Sequence, residues 1–382
     1  MMVLSWNCRG LGQPRTVQEL VCLVHTYKPK LVFLSETRQS NQYVNKLRWR
    51  LGLKHCIAQP GKGKSAGIAL LYDESVEIIE LSVGLRYIDV LVRLTPNGLQ
   101  WRGTFVCGEP KAHERRLMWE LLSRIKDKSN APWLMIGDFN ETMWQAQHFS
   151  TAKRSERYME NFRSVLSDCN LFDLGFKGPG WTYDNKQAGQ KNVRARLDRA
   201  IASSSWSDHF REAIVEHICS SRSDHLPVLL KFGKRKEWRT VGSKSSRPFR
   251  YEHMWERVQS LQAAIENGWK GSGEAQNLQE VGAKISSMAH VLRKWSDRDF
   301  GSVLKKSADI RRKLSVLWRS ANTPENQREV KQCSEELDEL LLREELMWRQ
   351  RSRATYLREG DRNTKWFQRK ATWRKKKTKS AN

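Results

Sequence analysis

Six polar side chains placed where short apolar runs begin or end carry the chemical content of this sequence. Asn7 follows Val3-Leu4-Ser5-Trp6, Glu36 follows Leu31-Val32-Phe33-Leu34-Ser35, and Asp138 and Asn140 stand in Gly137-Asp138-Phe139-Asn140, after Trp133-Leu134-Met135-Ile136. Asp224-His225 comes just before Val228-Leu229-Leu230. Taken singly, an Asp or Asn at such a place is ordinarily a turn or cap residue. Taken together they suit hydrolysis of a phosphodiester, which needs a hard divalent cation on oxygen ligands, a group to orient and deprotonate water, and donors for the phosphoryl oxygens. Glu36 is expected to hold the cation and Asp138 to orient or deprotonate the water. Asn7, Asn140 and His225 are expected to contact the phosphate. Arg196-Leu197-Asp198-Arg199, ahead of Ala200-Ile201-Ala202, adds Asp198 as a further metal or water ligand and Arg196 and Arg199 as phosphate contacts. Trp181-Thr182-Tyr183 offers hydroxyls and ring faces to a nucleic-acid backbone. Thr182 and Ser223 complete the expected substrate contacts.

The elements that must position these groups are legible in the hydropathy pattern. Strand-like runs are Val3-Trp6, Leu31-Leu34, Gly67-Tyr72, Ile88-Val92, Trp133-Ile136 and Val228-Lys231. Between them lie helical spacings such as Val17, Leu20, Val21 and Val24, then Leu117, Leu121, Leu122 and Ile125. Strands alternating with helices predict a layered α/β domain over residues 1–233, and the ends of strands in such sheets are where ligands bind. Residues 234–250, rich in Ser, Gly and basic side chains, predict a basic linker. From 251 to 382 the pattern turns helical, and an antiparallel pair of long helices is the simplest arrangement. Within it Thr323 is placed to cap a helix opening at Pro324.

Composition narrows the partner. The chain has 382 residues, is 39% hydrophobic and carries a formal charge of +26. Such an excess attracts a polyanion, nucleic acid ahead of an acidic membrane surface. The helical part is the more basic of the two, with +16 of that charge after residue 233 and +10 before it. The sequence contains no apolar run long enough for a membrane span, and its start does not read as a signal peptide. Seven scattered cysteines, an odd number without zinc-type spacing, predict a reducing compartment and neither disulfides nor structural zinc. Ala58 to Ser65, ending Gly63-Lys64-Ser65, loosely fits a phosphate-binding loop but runs into a strand where that motif requires a helix. Trp255, Trp269, Trp295, Trp318 and Trp348 are expected to pack helices rather than to stack on bases.

The order of these motifs resembles the endonuclease/exonuclease/phosphatase superfamily, and more closely the endonuclease domain of plant LINE-type non-LTR retrotransposons. The resemblance rests on Leu4-Ser5-Trp6-Asn7-Cys8-Arg9-Gly10-Leu11-Gly12, Val32-Phe33-Leu34-Ser35-Glu36-Thr37, Gly137-Asp138-Phe139-Asn140, Arg196-Leu197-Asp198-Arg199 and Ser223-Asp224-His225-Leu226-Pro227, across the first 233 residues. It implies a four-layer sandwich of two β-sheets flanked by helices, followed by the mainly α-helical extension. It implies a metal-dependent endonuclease using Mg2+, with Mn2+ as the alternative. Glu36, Asn7 and Asp224 are the metal set, Asp138 and Asn140 handle water and phosphate, and Asp224 orients His225 as a dyad. Asn7 and Asp198 complete the polar shell. One position departs: members usually carry Tyr-Gly-x-Pro where this chain has Cys107-Gly108-Glu109-Pro110, so a thiol replaces a phenolic donor. Trp348 to Arg353 and Gly360 to Phe367 resemble the segment that precedes the reverse transcriptase in the same elements, here without a polymerase. Expected partners are DNA and, second, the element's RNA, with no membrane and no small-molecule cofactor. The nucleus follows as the expected location, with the cytoplasm as the alternative, from the substrate and from the basic cluster Arg369-Lys370 with Arg374-Lys375-Lys376-Lys377. The alternatives are a catalytically weak nucleic-acid-binding remnant of such an element, or an abasic-site endonuclease or small-molecule phosphatase on the same fold.

Overall fold

The structure is a computed structural model that describes residues 1–61, 67–94, 99–187, 189–220, 222–233, 249, 251–270, 277–300, 303–320 and 323–352. The expected linker, apart from Phe249, the Gly63-Lys64-Ser65 loop, and the Gly360–Phe367 motif with its basic cluster lie outside the described residues. In chain order the strands are β1 (Met2–Asn7), β2 (Leu31–Ser35), β3 (His55–Gln59), β4 (Ile68–Tyr72), β5 (Val76–Gly84), β6 (Tyr87–Leu94), β7 (Gln100–Cys107) and β8 (Trp133–Asp138). They continue with β9 (His148–Phe149), β10 (Leu171–Asp173), β11 (Tyr183–Asp184), β12 (Arg194–Ala195), β13 (Asp198–Ser203), β14 (Ile214–His217) and β15 (Val228–Lys231). The helices are α1 (Pro14–Tyr27), α2 (Asn41–Leu51), α3 (Arg115–Ile125), α4 (Glu156–Asp168), α5 (Ser204–His209), α6 (Ser260–Lys270), α7 (Leu278–Trp295), α8 (Val303–Leu317) and α9 (Pro324–Ser352).

Two mixed six-stranded sheets form, in the orders β14-β15-β1-β2-β4-β3 and β10-β13-β8-β7-β6-β5, with a small third sheet β11-β12-β9. Strand alternation explains the layers, because successive side chains point to opposite faces. Val3, Phe33, Leu70, Val228 and Leu230 of the first sheet meet Val90, Phe105, Leu134, Ile136 and Ala200 of the second in one buried core. The residues between them face outward. Leu4, Trp6, Val32, Leu34 and Leu229 pack under Leu20, Val21 and Val24 of α1 and Leu47 of α2. Val106, Met135 and Ile201 pack under Met118, Trp119 and Leu122 of α3 and Phe162 of α4. The result is the expected four-layer sandwich. Each helix also has local reasons to start and stop: α1 opens on Pro14, and α2 is capped by the Ser40 hydroxyl accepting from the Tyr43 amide at 3.2 Å and closes on the left-handed Gly52.

The same alternation aims the chemistry. Counting in twos from Val3 puts Asn7 on the inner face of β1, and counting from Leu134 and Ile136 puts Asp138 on the inner face of β8. Phe105 does the same for Cys107 on β7, and Ala200 and Ala202 for Asp198 on β13. Register then brings three of them side by side: Asp138 stands opposite Asp198 on one neighbour and opposite Cys107 on the other.

The helical region differs from the expected pair, because four helices, α6 to α9, follow β15 among the described residues. Thr323 does cap α9, its hydroxyl accepting from the Asn326 amide at 3.2 Å. The chain divides into two compact units that do not follow its order: Met1–Lys234 with Arg311–Ser334, and Arg235–Ile310 with Glu335–Asn382. In the second, Met254, Trp255, Leu261, Leu292, Trp295 and Leu340 share one core, and the Trp255 and Trp295 rings meet edge-on at 5.8 Å. Packing is thus the role of these two indoles.

Close approach of β7 to β8 depends on Gly137. Its φ is +151°, and a Cβ there would stand 2.0 Å from the Val106 carbonyl oxygen. Gly137→Ala is expected to destabilise the fold by about 3 kcal/mol or more, since β7 and β8 must separate to admit the methyl. Urea unfolding measures this; a midpoint equivalent to less than about 0.5 kcal/mol of change would show that the strands have slack.

Candidate active site

Asn7 and Ser35 are register partners at the ends of the parallel strands β1 and β2, so Glu36 emerges beside Asn7. The Asn7 Nδ2 donates to Glu36 Oε1 and to Asp138 Oδ2, both at 3.0 Å, and thereby ties the ends of the two sheets together. Asp138 is held at both oxygens. Oδ1 accepts from the Asn140 amide at 2.8 Å, and Oδ2 also accepts from the Asn140 side chain at 3.1 Å. On the other side, His225 Nδ1 lies 2.8 Å from Asp198 Oδ2, and its Nε2 lies 3.8 Å from Asp138 Oδ2. The Asp198 loop is fixed by Thr182, whose hydroxyl accepts from the Leu197 and Asp198 amides, each at 2.9 Å. Trp6 Nε1 donates to the His225 carbonyl at 3.1 Å, so the outer face of β1 anchors the imidazole's own backbone.

Charge is concentrated in a dry place. Asp138, Asp198 and His225 are all 3% exposed or less. Burial works against the imidazolium, yet the carboxylates of Asp198 and Asp138 outweigh it and push the His225 pKa up to about 10. Burial pushes Asp138 up to about 6 against the opposing pull of His225. Burial likewise opposes ionisation of Glu36, but the Asn7 amide and the Arg9 and Arg38 guanidinium groups hold its pKa below the usual value. Arg9 spans two acids, with Nη1 3.3 Å from Glu36 and Nε 3.1 Å from Asp224. Cys107 is pushed upward by burial and by Asp138, so its thiol stays neutral.

Several expected assignments change in detail. Asp224 does not orient His225; Asp198 does, and the Asp224 carboxylate turns to Arg9. Asp224 lies in a bend on the solvent side, whereas the His225 ring is buried against Tyr183 at 5.1 Å, so the two face different partners. The Asn7 side chain bridges the carboxylates through its amide nitrogen, while its oxygen accepts from the Arg9 amide at 3.3 Å. Arg196 and Arg199 are buried and pair with Asp173 at 2.7 and 2.9 Å, so their charge is committed to an internal carboxylate. Thr182 is fully buried, its hydroxyl spent on two amides. The Ser223 hydroxyl donates to the Asn7 carbonyl at 2.7 Å and accepts from the His225 amide at 3.1 Å, which makes Ser223 a splice between the Asn7 and His225 segments. Glu36, Asp138, Asn140, Asp198 and His225 do converge on one edge between the sheets.

Sequence reasoning passed over Arg9, Arg38 and a supporting network behind Asn140. Glu141, fully buried, pairs with Arg115 at 2.7 Å and with Arg154 at 2.8 Å, and Arg154 also donates to the Asn140 carbonyl at 3.2 Å. Arg9, Glu36, Arg38 and Asn140 all adopt left-handed backbone, with φ near +50°. Strained conformations of non-glycine residues gather where surrounding structure over-determines them. The available signal was Arg9-Gly10 directly after a strand.

A family model described as "Endonuclease/Exonuclease/phosphatase family" matches residues 4–225. The chain belongs to this family, whose members are hydrolases of phosphate esters. No curated protein matches its sequence. Among solved structures it is similar to a 3′ phosphatase from Neisseria bound to product DNA hairpin, at 17% identity and TM-score 0.49, over 61% of this chain and 100% of that one. It is similar to the endonuclease domain of TRAS1, a telomere-specific non-LTR retrotransposon, at 16% identity and TM-score 0.44, over 62% of this chain and 99% of that one. A mannosyl-6-phosphatase from Bacteroides thetaiotaomicron is similar at 16% identity and TM-score 0.41, over 61% of this chain and 100% of that one.

The electrostatics of His225 are directly measurable. Its pKa is raised from 6.5 to about 10, so the stability it confers is fully present below about pH 6.5 and is lost as pH rises through about 10. Nitrogen-15 spectra are expected to show both ring nitrogens protonated at pH 8. Unfolding free energy should fall from pH 7 to 10.5 more steeply in the native protein than in His225→Gln. A neutral ring at pH 8 would refute the charged pair.

Proposed function

We propose that this chain is a divalent-cation-dependent phosphodiesterase that nicks DNA, as in target-site cleavage by a LINE-type retrotransposon. The observation that carries the reading is the convergence, at one edge between the sheets, of Glu36, Asp138 with Asn140, and the Asp198–His225 pair. Enzymes of this fold typically use divalent metals, and the acids here suit one. Glu36 and Asp224 both reach the Arg9 guanidinium, so their oxygens converge on a position that favours positive charge. Those two would hold Mg2+, or Mn2+, which when bound neutralises charge on the phosphoryl oxygens.

The chain's own groups account for the remaining chemistry. Asp138, with a pKa near 6, is largely ionised at neutral pH and accepts a proton from water as the water oxygen bonds to phosphorus and the ester P–O bond breaks. Asn140 fixes the orientation of that carboxylate. The His225 imidazolium, kept charged by Asp198, donates from Nε2 to a phosphoryl oxygen whose charge grows in the transition state. The released alkoxide takes its proton from solvent. The charge of +26 supports a polymer substrate over a small phosphate ester, since a small ester uses little of an extended basic surface. DNA is the first partner and element RNA the second, and the nucleus is the corresponding location.

A second reading, a catalytically weak nucleic-acid-binding remnant, has one observation in its favour: the buried, neutral Cys107 thiol beside Asp138. A supercoiled-plasmid assay separates the two. The native chain with Mg2+ is expected to nick at least about 10²-fold faster than Asp198→Ala or the Asp224→Ala, His225→Ala double variant, and to stop with chelator. Equal rates across these proteins would defeat the enzyme reading. If the native rate is low and Cys107→Tyr raises it about tenfold or more, the remnant reading holds. Competition with abasic DNA and an inositol phosphate tests the repair and phosphatase alternatives.

A further inference from the structure

The first compact unit includes residues 311–334, which lie beyond the family match at 4–225. Two anchors fix this segment to the α/β core. Arg311 Nη1 reaches Glu19 Oε1 at 3.1 Å and donates to the Cys219 carbonyl at 2.8 Å, in a place where Glu19 is fully buried. A buried carboxylate is costly without a cation, and Arg311 comes from 292 residues away in the chain to supply one. The other anchor is aromatic. Trp181 Nε1 donates to the Trp318 carbonyl at 3.0 Å, and the two rings lie 5.3 Å apart, each indole nearly buried.

Both anchors end on backbone that holds the reacting groups. Glu19 Oε2 accepts from Ser220 at 3.0 Å, and the stretch from Cys219 to His225 is fastened at its far end by Ser223 on Asn7. Trp181 is followed by Thr182, whose hydroxyl takes the Leu197 and Asp198 amides and whose carbonyl accepts from the Leu226 amide at 2.7 Å. Tyr183 then bridges to His225, and the Asp184 amide donates to the Asp224 carbonyl at 2.9 Å. The segment therefore grips one end of each of the two stretches that set the Asp198–His225 geometry.

We propose that residues 311–334 are a working part of the nuclease unit, with Trp318 and Arg311 as positioning residues that act on His225 and Asp198 through Trp181 and the Cys219–Ser223 stretch. The proposal rests on the phosphodiesterase reading for its catalytic consequence and on the fold alone for its structural one. Small displacements of catalytic groups by distant changes cost rate rather than affinity. In the full chain, Trp318→Ala is expected to lower kcat for plasmid nicking about tenfold with KM within about twofold, because the removed ring touches no substrate. Trp318→Phe, which retains a ring and the backbone carbonyl, should recover most of that loss. Hydrogen exchange at the Asp198 and Leu226 amides should quicken about tenfold in Trp318→Ala, while amides of β5 and β6 keep their protection. Arg311→Met is the second probe: it removes both the partner of Glu19 and the donor to the Cys219 carbonyl, so exchange should quicken at the His225 amide.

An alanine variant with native kcat and native exchange would overturn the proposal. So would a uniform exchange increase over the whole sandwich, which marks general destabilisation, or a change confined to KM. If the native chain nicks nothing, the phosphodiesterase reading falls, and the exchange pattern alone decides whether the brace exists.

Discussion

One buried imidazole shared by two buried carboxylates sets the terms for the rest of the molecule. Asp138 and Asp198 are neighbours across antiparallel strands, and at such burial their charges would repel without a cation between them. His225 answers that cost by staying protonated. A buried ionic cluster is tolerated only when its geometry is fixed and its remaining lone pairs are satisfied. The hydrogen bonds from Asn7, Asn140 and the Thr182-supported loop supply that fixing, and the sandwich supplies dryness. The two sheets also set the aim of the site. They must be regular so that four inward positions on β1, β7, β8 and β13 arrive at one edge together.

Much of this was legible in the sequence. The apolar runs from Val3, Leu31, Ile88, Trp133 and Val228 lie in strands, as does the run from Gly67 beyond its first residue, because strands buried on both faces read as continuous hydrophobic stretches. Polar groups at their ends were equally visible. Short strands such as β10, β11 and β12 left no such trace, having two or three residues each. That omission had a consequence for Arg196 and Arg199. Their partner Asp173 sits at the end of β10, and only with that strand placed do the two guanidinium groups turn into internal ion pairs rather than phosphate contacts.

The pairing of His225 shows a different limit. Adjacency in sequence suggested Asp224, but its chain bends there and its carboxylate turns to Arg9. Asp198 reaches the ring because β13 and the Thr182 loop bring it there, a relation spread over four separated stretches. Tail packing was hidden for the same reason. Trp318 resembles any amphipathic-helix tryptophan, and nothing local to it announces Trp181 as its partner.

Arginine resolves the opposite problem at the solvent side of the site. Glu36 and Asp224 sit at 16% and 18% side-chain exposure and share the Arg9 guanidinium as their counter-charge. Arg9 supplies it from a residue in left-handed backbone, and Arg38, also left-handed, supports Glu36 at 2.9 Å. Both guanidinium groups are about half exposed, so the counter-charge is supplied from the solvent side and remains largely hydrated. Inner and outer halves of the site therefore differ in kind. The Asp138–Asp198–His225 half is locked by burial and register, whereas the Glu36–Asp224 half is held by half-exposed arginines over acids that water can reach. The two halves are thereby charge-balanced independently, the outer acids by guanidinium groups at the surface and the inner acids by a buried imidazole.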